Sequence, residues 1–248
     1  TYKIIHGENT GDTEYFKKGF ASDEEREAYE AELCATVEAE GAALLKNENN
    51  ALPLASGAKV SLFGHGSVDL MYGGTGSGSV DTSKAPNLKQ ALEAQGITIN
   101  QTLWDLYSSD SMMSKYSRMT PASISDTLEA NTQYAVNEAP WSALSSAESS
   151  FAEYGDAAIV VLSRSGGESA ALPSGENGTN DSWISGQEGD GNYLALSAEE
   201  IELLQNLKAL KDNGTFKNII VLINSSNAIE LDFLNPAICG EDYGIDAA

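Results

Sequence analysis

Strands without polar alternation are the feature of this chain that most constrains its fold. Four short runs are apolar or nearly so: KVSLFG (59–64), ITIN (97–100), AAIVVLS (157–163) and FKNIIVLINSS (216–226). A strand with one face in water alternates apolar and polar residues, whereas a strand buried on both faces does not. Strands of the second kind belong to parallel sheets that helices cover on both sides. The pattern therefore predicts a doubly wound α/β fold of flavodoxin-like type.

Helical patterns separate these runs, and two of them begin with a capping box. Ser22 with Glu25, and Ser197 with Glu200, place a serine three residues before a glutamate. The helices predicted in this way are, in chain order, residues 22–47, 87–96, 142–155 and 197–214.

Two glycine-rich segments follow the first and third apolar runs. HGSVDLMYGGTGSGSVD (65–81) comes after the first, and RSGGES (164–169) comes after the third. The carboxyl ends of parallel strands meet at one rim of a sheet, and ligands of such folds bind there. We therefore expect both segments on the same rim.

Composition and motif spacing count against several classes of ligand. The chain carries 14 Lys plus Arg against 37 Asp plus Glu, a formal net charge of −23, so we expect no nucleic-acid partner. GGTGSGS (73–79) lacks the lysine of a P-loop, and Asp69 stands where a dinucleotide fingerprint has its third glycine. The only histidines are His6 and His65, and nothing has metal-ligand spacing, so we expect no metal and no cofactor.

Glu168 is the candidate catalytic group. Glycosidases of the usual kind need two carboxylates that flank the scissile bond, one of them protonated. A protonated carboxyl needs a pKa raised by desolvation or by a nearby like charge. Arg164, four positions earlier, can orient a carboxylate or a substrate hydroxyl. The plain alternative is a surface loop with a solvated glutamate and a locally paired arginine.

Six segments in order resemble one domain of a known family. They are EAEGAALLKNENNALPL, KVSLFGHGS, YGGTGSGSV, DAAIVVLSRSGGES, YLALSAEEIELL and NIIVLINSSNAIEL, between residues 30 and 235. Together they resemble the α/β sandwich domain of family 3 glycoside hydrolases, which include β-glucosidases, β-xylosidases and β-N-acetylglucosaminidases. The resemblance implies a mainly parallel six-stranded sheet between helices. It also implies exo-acting, retaining hydrolysis of a β-linked glycoside or oligosaccharide.

The resemblance also assigns site residues. In glucosidase-type members, the general acid/base lies in a loop that reads Arg, any residue, Ser or Ala, Gly, Glu, Gly. Arg164 and Glu168 match this pattern and Ser169 replaces its last glycine, so the resemblance implies Glu168 as general acid/base and Arg164 as substrate-binding. The GGTGSGS loop corresponds to one that reaches the sugar, so Ser77 and Ser79 are also predicted to bind substrate. The same long loop contains rival carboxylates and one candidate stacking side chain: Glu176, Asp181, Glu188, Asp190 and Trp183.

The nucleophile implied by the resemblance is missing from this chain. In the family it is an Asp on a (β/α)8 barrel, in a motif like Ser-Asp-Trp; NDSW (180–183) has the wrong order, and a barrel needs about 250 residues by itself. We therefore expect a barrel elsewhere in the same polypeptide, and an inactive isolated chain. Residues 1–30 resemble the lead-in of members in which the sandwich comes first, and residues 31–248 are the predicted sandwich domain. Several such bacterial proteins look membrane-anchored, which would put this domain outside the cell; the sequence itself leaves the location unknown, and the cytoplasm is the alternative.

Two other functions stay open at the level of sequence. Some family members take their acid/base from the barrel, which would leave this domain structural or sugar-binding; a Glu168 loop directed away from GGTGSGS would favour that function. A stand-alone nucleotide or flavin binder is the other, and flavin absorbance would identify it.

Overall fold

A parallel sheet forms the centre of the larger of the two units into which the chain divides. The computed structural model describes residues 19–74, 76–118, 135–168 and 193–248. The two units are Thr1–Leu44 and Leu45–Ala248. Within the described part, the sheet has four strands in the order β2-β1-β3-β4, all parallel. They are β1 Lys59–Phe63, β2 Thr98–Ile99, β3 Ala157–Arg164 and β4 Ile219–Ser225.

Six α-helices are described in the same ranges, and several of them separate the strands along the chain, as the sequence predicts. They are α1 Asp23–Gly41, α2 Leu88–Ala94, α3 Gln101–Tyr107, α4 Asp110–Met113, α5 Ala198–Asp212 and α6 Pro236–Cys239. Shorter 3-10 helices span His65–Ser67, Gly76–Gly78, Trp141–Leu144, Glu148–Tyr154 and Asp232–Leu234. The 3-10 helices Trp141–Leu144 and Glu148–Tyr154 lie where the sequence predicts one α-helix over residues 142–155.

The central strand β3 is buried on both faces of the sheet, and the structure confirms the predicted α/β fold with a parallel sheet and helices. Every residue of β3 is buried. Ala158, Val160 and Leu162 pack into one apolar cluster with residues of α3 and α5. Ala157 and Ile159, which point to the opposite face, pack into a second cluster. A strand with apolar neighbours on both sides has no polar face, and this explains the uninterrupted run AAIVVL.

Helix α1 of the smaller unit ends six residues before the predicted terminus at residue 47. Ser22 is its N-cap and accepts a hydrogen bond from the Glu25 amide at 3.2 Å, as predicted. The Glu25 carboxylate, however, accepts from the Ala21 amide rather than from Ser22. In the larger unit, the chain from Leu45 onward is extended and pairs with the segment that ends at Ala248. Backbone pairing there outweighs the helical propensity of the sequence.

The strand order places the candidate site. Successive strands run outward from β1 in one direction to β2 and in the other to β3 and β4. This is the order of flavodoxin-like sheets, whose ligands bind where the order reverses, between the carboxyl ends of β1 and β3. Both glycine-rich segments begin at that point.

The strand count of six is not confirmed, since the described residues form four. Two short segments continue the sheet beyond β4. Ala247 forms a parallel bridge with Ile220, and Asn47 forms an antiparallel bridge with Ala247.

Candidate functional site

The segment after β1 lies directly against β3. Gly64 has a φ of 83°, and a Cβ atom there would lie 2.7 Å from the Val161 carbonyl oxygen. Both the positive φ and this close approach favour glycine at the position. The chain can therefore turn over the end of β3, which directs residues 65–74 toward the other glycine-rich segment.

The two glycine-rich segments meet, backbone to backbone, at the rim. A Cβ atom on Gly74 would lie 2.8 Å from the Gly166 carbonyl oxygen. Three residues further along the first segment, Ser77 contacts Glu168 of the second. The expectation that both segments share one rim is therefore confirmed.

Ser77 donates two hydrogen bonds to one oxygen of Glu168. Its hydroxyl lies 2.5 Å and its amide nitrogen 2.9 Å from Oε2. The Glu168 side chain is otherwise exposed to solvent. The Ser77 hydroxyl, and then its amide, stabilise the carboxylate form and so lower the pKa of Glu168. In this arrangement Glu168 is an anion at neutral pH, so it has the form of a general base.

Arg164 ends β3, but its side chain is buried inside the protein and is not exposed at the rim. Its guanidinium is fully buried and forms a bidentate ion pair with Glu200, at 2.8 Å from Nη1 to Oε1 and 2.7 Å from Nη2 to Oε2. Its remaining N–H groups donate to three carbonyl oxygens, those of Ser163, Tyr193 and Ala195. These bonds use all five N–H donors of a guanidinium, so none is left for a sugar hydroxyl. The structure thus replaces the predicted substrate contact of Arg164 with a contact inside the protein.

Ser79 lines an open cleft of about 320 Å³ beside the Ser77–Glu168 contact. Tyr72, Thr82 and Arg118 also line it. Arg118 is held by Asp69, through its carboxylate at 3.0 Å and its carbonyl oxygen, and by the Leu70 carbonyl oxygen. The cleft therefore presents hydroxyl groups, the apolar residues Leu70, Met71 and Val80, and one cation paired with Asp69, which suits an uncharged ligand.

A buried His65–Glu138 pair supports the start of the first segment, and the sequence gives no signal for it. His65 Nδ1 lies 2.8 Å and the His65 amide nitrogen 2.9 Å from Glu138 Oε2. Both side chains are almost fully buried. Tyr107 Oη accepts from the Gly64 amide at 3.1 Å, and burial together with the charge of Glu138 raises the pKa of Tyr107 well above its usual value. Glu138 is 73 positions from His65 in the chain, too far for a pattern to link them.

Glu199, in the first turn of α5, is a carboxylate whose pKa is raised above its usual value. Burial is the main cause, and the nearby charges of Glu138, Glu202 and Glu200 add to it. Its Oε2 atom is buried and has no hydrogen-bond partner in the described part of the chain. A raised pKa suits a general acid. A buried oxygen, however, does not reach a substrate without movement of the helix end.

Several predicted features lie outside the described residues. These are the departure at Ser169, the rival carboxylates Glu176, Asp181, Glu188 and Asp190, the tryptophan Trp183, and residues 1–18 of the lead-in. Within the described ranges, no three His, Cys, Asp or Glu side chains are grouped as a metal site would require. None of the helices described in those ranges is long and apolar enough to cross a bilayer.

Comparison with known proteins gives one consistent result. The sequence model of the Glycosyl hydrolase family 3 C-terminal domain matches residues 42–240. Beta-glucosidase A of Butyrivibrio fibrisolvens is 34% identical over 143 residues, which cover 55% of this chain and 15% of that protein. This chain therefore spans less than a fifth of the length of that relative.

Solved structures resemble the described fold. A beta-glucosidase from Paenibacillus barengoltzii superimposes with a TM-score of 0.61 and 25% identity, over 88% of this chain and 20% of its own. Beta-glucosidase 3B from Thermotoga neapolitana, solved in complex with glucose, gives a TM-score of 0.60 at 22% identity, over 89% and 26%. The second likeness, at that identity, concerns the fold alone.

Proposed function

Because this chain belongs to glycosyl hydrolase family 3, through the C-terminal domain of that family, we propose that it is the sandwich domain of a longer retaining β-glycosidase and that Glu168 is the general acid/base. The observation that carries the proposal is the contact between Glu168 and Ser77 at the reversal of strand order. It places an exposed carboxylate where ligands of this sheet type bind. Residues 31–248 form the sandwich in this proposal, and residues 1–30 lead into it.

The proposed chemistry uses Glu168 twice. As an acid it protonates the glycosidic oxygen while the nucleophile attacks the anomeric carbon, and as a base it removes a proton from the water that releases the sugar. The lowered pKa of Glu168 in this chain suits the second step. For the first step its pKa must rise, and a carboxylate nucleophile close by would raise it by like-charge repulsion.

The nucleophile in this proposal is an Asp on a (β/α)8 barrel of the same polypeptide. The barrel would cover the rim, exclude water from Glu168 and supply most of the sugar-binding groups. The isolated chain is then inactive, since it lacks the second carboxylate, which forms the covalent glycosyl-enzyme intermediate. The substrate proposed is a β-glucoside, because the named relatives are beta-glucosidases.

The site residues take different parts in this proposal. Ser77 orients Glu168, and Ser79 contacts the substrate from the wall of the cleft. Arg164 acts on the site through the backbone and not through the sugar, because its donors are already used.

We also propose that the complete domain has the six-stranded sheet of the resemblance. The segment that ends at Ala247 and the segment around Asn47 lie in succession beyond β4, one parallel and one antiparallel. Longer pairing of these two segments would add the fifth and sixth strands.

Two alternatives compete with this role of Glu168. The domain can be structural, with the acid/base on the barrel; the contact between the two rim segments counts against this, since a catalytic Glu168 requires it. Alternatively, Glu199 is the acid, because its pKa is raised. The buried position of its Oε2 atom favours Glu168.

The test compares two glutamate variants with a control in the complete protein. Glu168→Gln should lower kcat on an alkyl β-glucoside by roughly 100-fold or more, and azide should partly restore turnover of a dinitrophenyl β-glucoside. Glu153→Gln, an exposed glutamate before the amino end of β3, is the matched control and should behave as the parent. Unchanged turnover in Glu168→Gln, with loss in Glu199→Gln, would transfer the role to Glu199. Unchanged turnover in both would favour a structural domain.

A further inference from the structure

Three buried side chains join the two stretches of chain on either side of residues 169–192. They are Arg164 at the end of β3, Tyr193 before α5, and Glu200 in the first turn of α5. We call these three residues the Arg164 cluster. Residues 165–168 follow β3 on one side of this cluster, and residues 193–197 lead into α5 on the other. Glu168 is four residues beyond Arg164 in the chain, so the Arg164 cluster contacts the backbone that leads to the proposed acid/base.

The Arg164 side chain fixes residues 193–195 through hydrogen bonds to their backbone. Nε donates to the Tyr193 carbonyl oxygen at 2.7 Å, and Nη2 donates to that of Ala195 at 2.6 Å. The Glu200 carboxylate, which neutralises Arg164, also accepts from the Ser197 amide at 2.8 Å and so completes the cap of α5. Hydrogen bonds to a charged group in a buried setting are stronger than those at the surface. These hydrogen bonds therefore hold residues 193–200 in one position relative to β3.

Tyr193 fixes the backbone of Ser165, the first residue after β3. Its hydroxyl accepts from the Ser165 amide at 2.8 Å and donates to the Ser165 carbonyl oxygen at 3.1 Å. The two residues are 28 positions apart. The ring is 1% exposed and lies 5.8 Å from the Arg164 guanidinium carbon. One phenol thus holds both polar groups of the backbone at Ser165, three residues before Glu168.

The next residue is held from the opposite side. The Gly166 amide donates to Ser226 Oγ at 2.9 Å. A Cβ atom on Gly166 would lie 3.2 Å from the Asn227 side chain, so the backbone there is closely packed. Only Gly167 then separates this fixed backbone from Glu168, whose own carboxylate is held by Ser77.

We propose that Tyr193 is a positioning residue for Glu168: through Ser165 it sets the place from which the carboxylate reaches the glycosidic oxygen. This inference rests on the proposed acid/base role of Glu168. A displacement of the order of 1 Å from a productive position can cost about 100-fold in rate. The loss should appear where proton donation limits the rate, and it should be small where the leaving group departs without a proton.

The test is Tyr193→Phe in the complete protein, which retains the ring over Arg164 and removes only the hydroxyl. We expect kcat/KM on an alkyl β-glucoside to fall roughly 10- to 100-fold and kcat/KM on a dinitrophenyl β-glucoside to change little. Tyr154→Phe is the matched control, because Tyr154 precedes the amino end of β3, whereas Glu168 follows its carboxyl end. It should match the parent on both substrates.

Other outcomes overturn the inference in distinguishable ways. A fall by the same factor on both substrates would indicate fewer folded molecules, and parent-like rates on both would show that the hydroxyl positions nothing. Glu168→Gln, assayed beside it, separates the two proposals: if that variant loses the alkyl substrate and Tyr193→Phe does not, only the positioning role fails. If Glu168→Gln is unaffected, the proposed function itself fails.

A second variant keeps the test valid if Tyr193→Phe does not fold. Ser226 is exposed, so Ser226→Ala removes the bond to the Gly166 amide with little effect on the core. The same selective loss on the alkyl substrate, of smaller size, is expected. If Ser226→Ala matched the parent protein on both substrates, the view that this backbone positions Glu168 would be overturned.

Discussion

Ser77 and Glu168 are 91 positions apart in the chain, and yet the serine hydroxyl lies 2.5 Å from the glutamate carboxylate. The serine amide donates to the same oxygen. Two consecutive donors from one residue hold a carboxylate in one orientation, and the contact joins the segments that follow β1 and β3.

The first prediction concerns the charge of Glu168 in this chain. Ser77→Ala removes the hydroxyl donor and keeps the amide, so the pKa of Glu168 should rise toward its usual value. NMR titration of the Glu168 side-chain carboxyl carbon would measure the change. Ser79→Ala, two residues along the same loop, is the control and should leave that pKa where it is. A pKa of Glu168 that does not rise in Ser77→Ala would contradict the contact.

The second prediction concerns the approach of the two rim segments. Gly74→Ala would place a Cβ atom 2.8 Å from the backbone oxygen of Gly166, which cannot move aside as a side chain could. The segments should separate, and turnover of an alkyl β-glucoside by the complete protein should fall roughly 10-fold or more. Gly78→Ala is the matched variant, because its Cβ atom would meet nothing within 4 Å. Equal activity of the two variants would mean that the close approach has no part in catalysis.

The third prediction concerns the buried ion pair of Arg164 and Glu200. Glu200→Ala leaves the Arg164 charge buried without a partner, so the free energy of unfolding should fall by about 3–5 kcal/mol. Urea unfolding followed by circular dichroism would measure this. Lys208→Ala breaks a more exposed pair with Asp212 and should lower the free energy of unfolding far less. Comparable losses in the two variants would argue against a buried pair.

The fourth prediction concerns the pH dependence of stability. Lys217, which donates to Asp156 at 2.5 Å, and then the Lys59 amide lower the pKa of Asp156 in the folded chain. A carboxyl with a depressed folded pKa stabilises the fold above its unfolded pKa, and this stabilisation is lost as the pH falls through the folded pKa. Asp156→Asn should therefore reduce the free energy of unfolding at pH 7 by about 1 kcal/mol or less, since the pair is partly exposed, and should matter less near pH 2.

The same experiment has an internal control. Lys217→Met removes the main partner of Asp156 and should weaken the pH dependence without abolishing it, because the Lys59 amide remains. An Asp156→Asn variant that loses the same stability at both pH values would show that packing, and not charge, is responsible.

Sequence reasoning located the rim but not the contacts behind it. The apolar runs and the glycine-rich segments are local patterns, so they predict strands and the end of the sheet at which the chain turns. Arg164 has no such pattern: Glu200, its partner, is 36 positions away, and only the fold brings them together. The capping box identified Glu200 as a helix-start residue, yet gave no indication that its carboxylate also binds Arg164. The helix predicted to residue 47 was too long because backbone pairing with a segment 200 positions later is invisible to a local pattern.

The two ends of the larger unit meet at one edge of its sheet. The Leu45 amide donates to the Ala248 carbonyl oxygen at 2.8 Å, and the Ala248 amide donates to the Lys46 carbonyl oxygen at 3.0 Å. A partner domain joined to either end would thus be tethered at the same place, as in proteins that tolerate circular permutation.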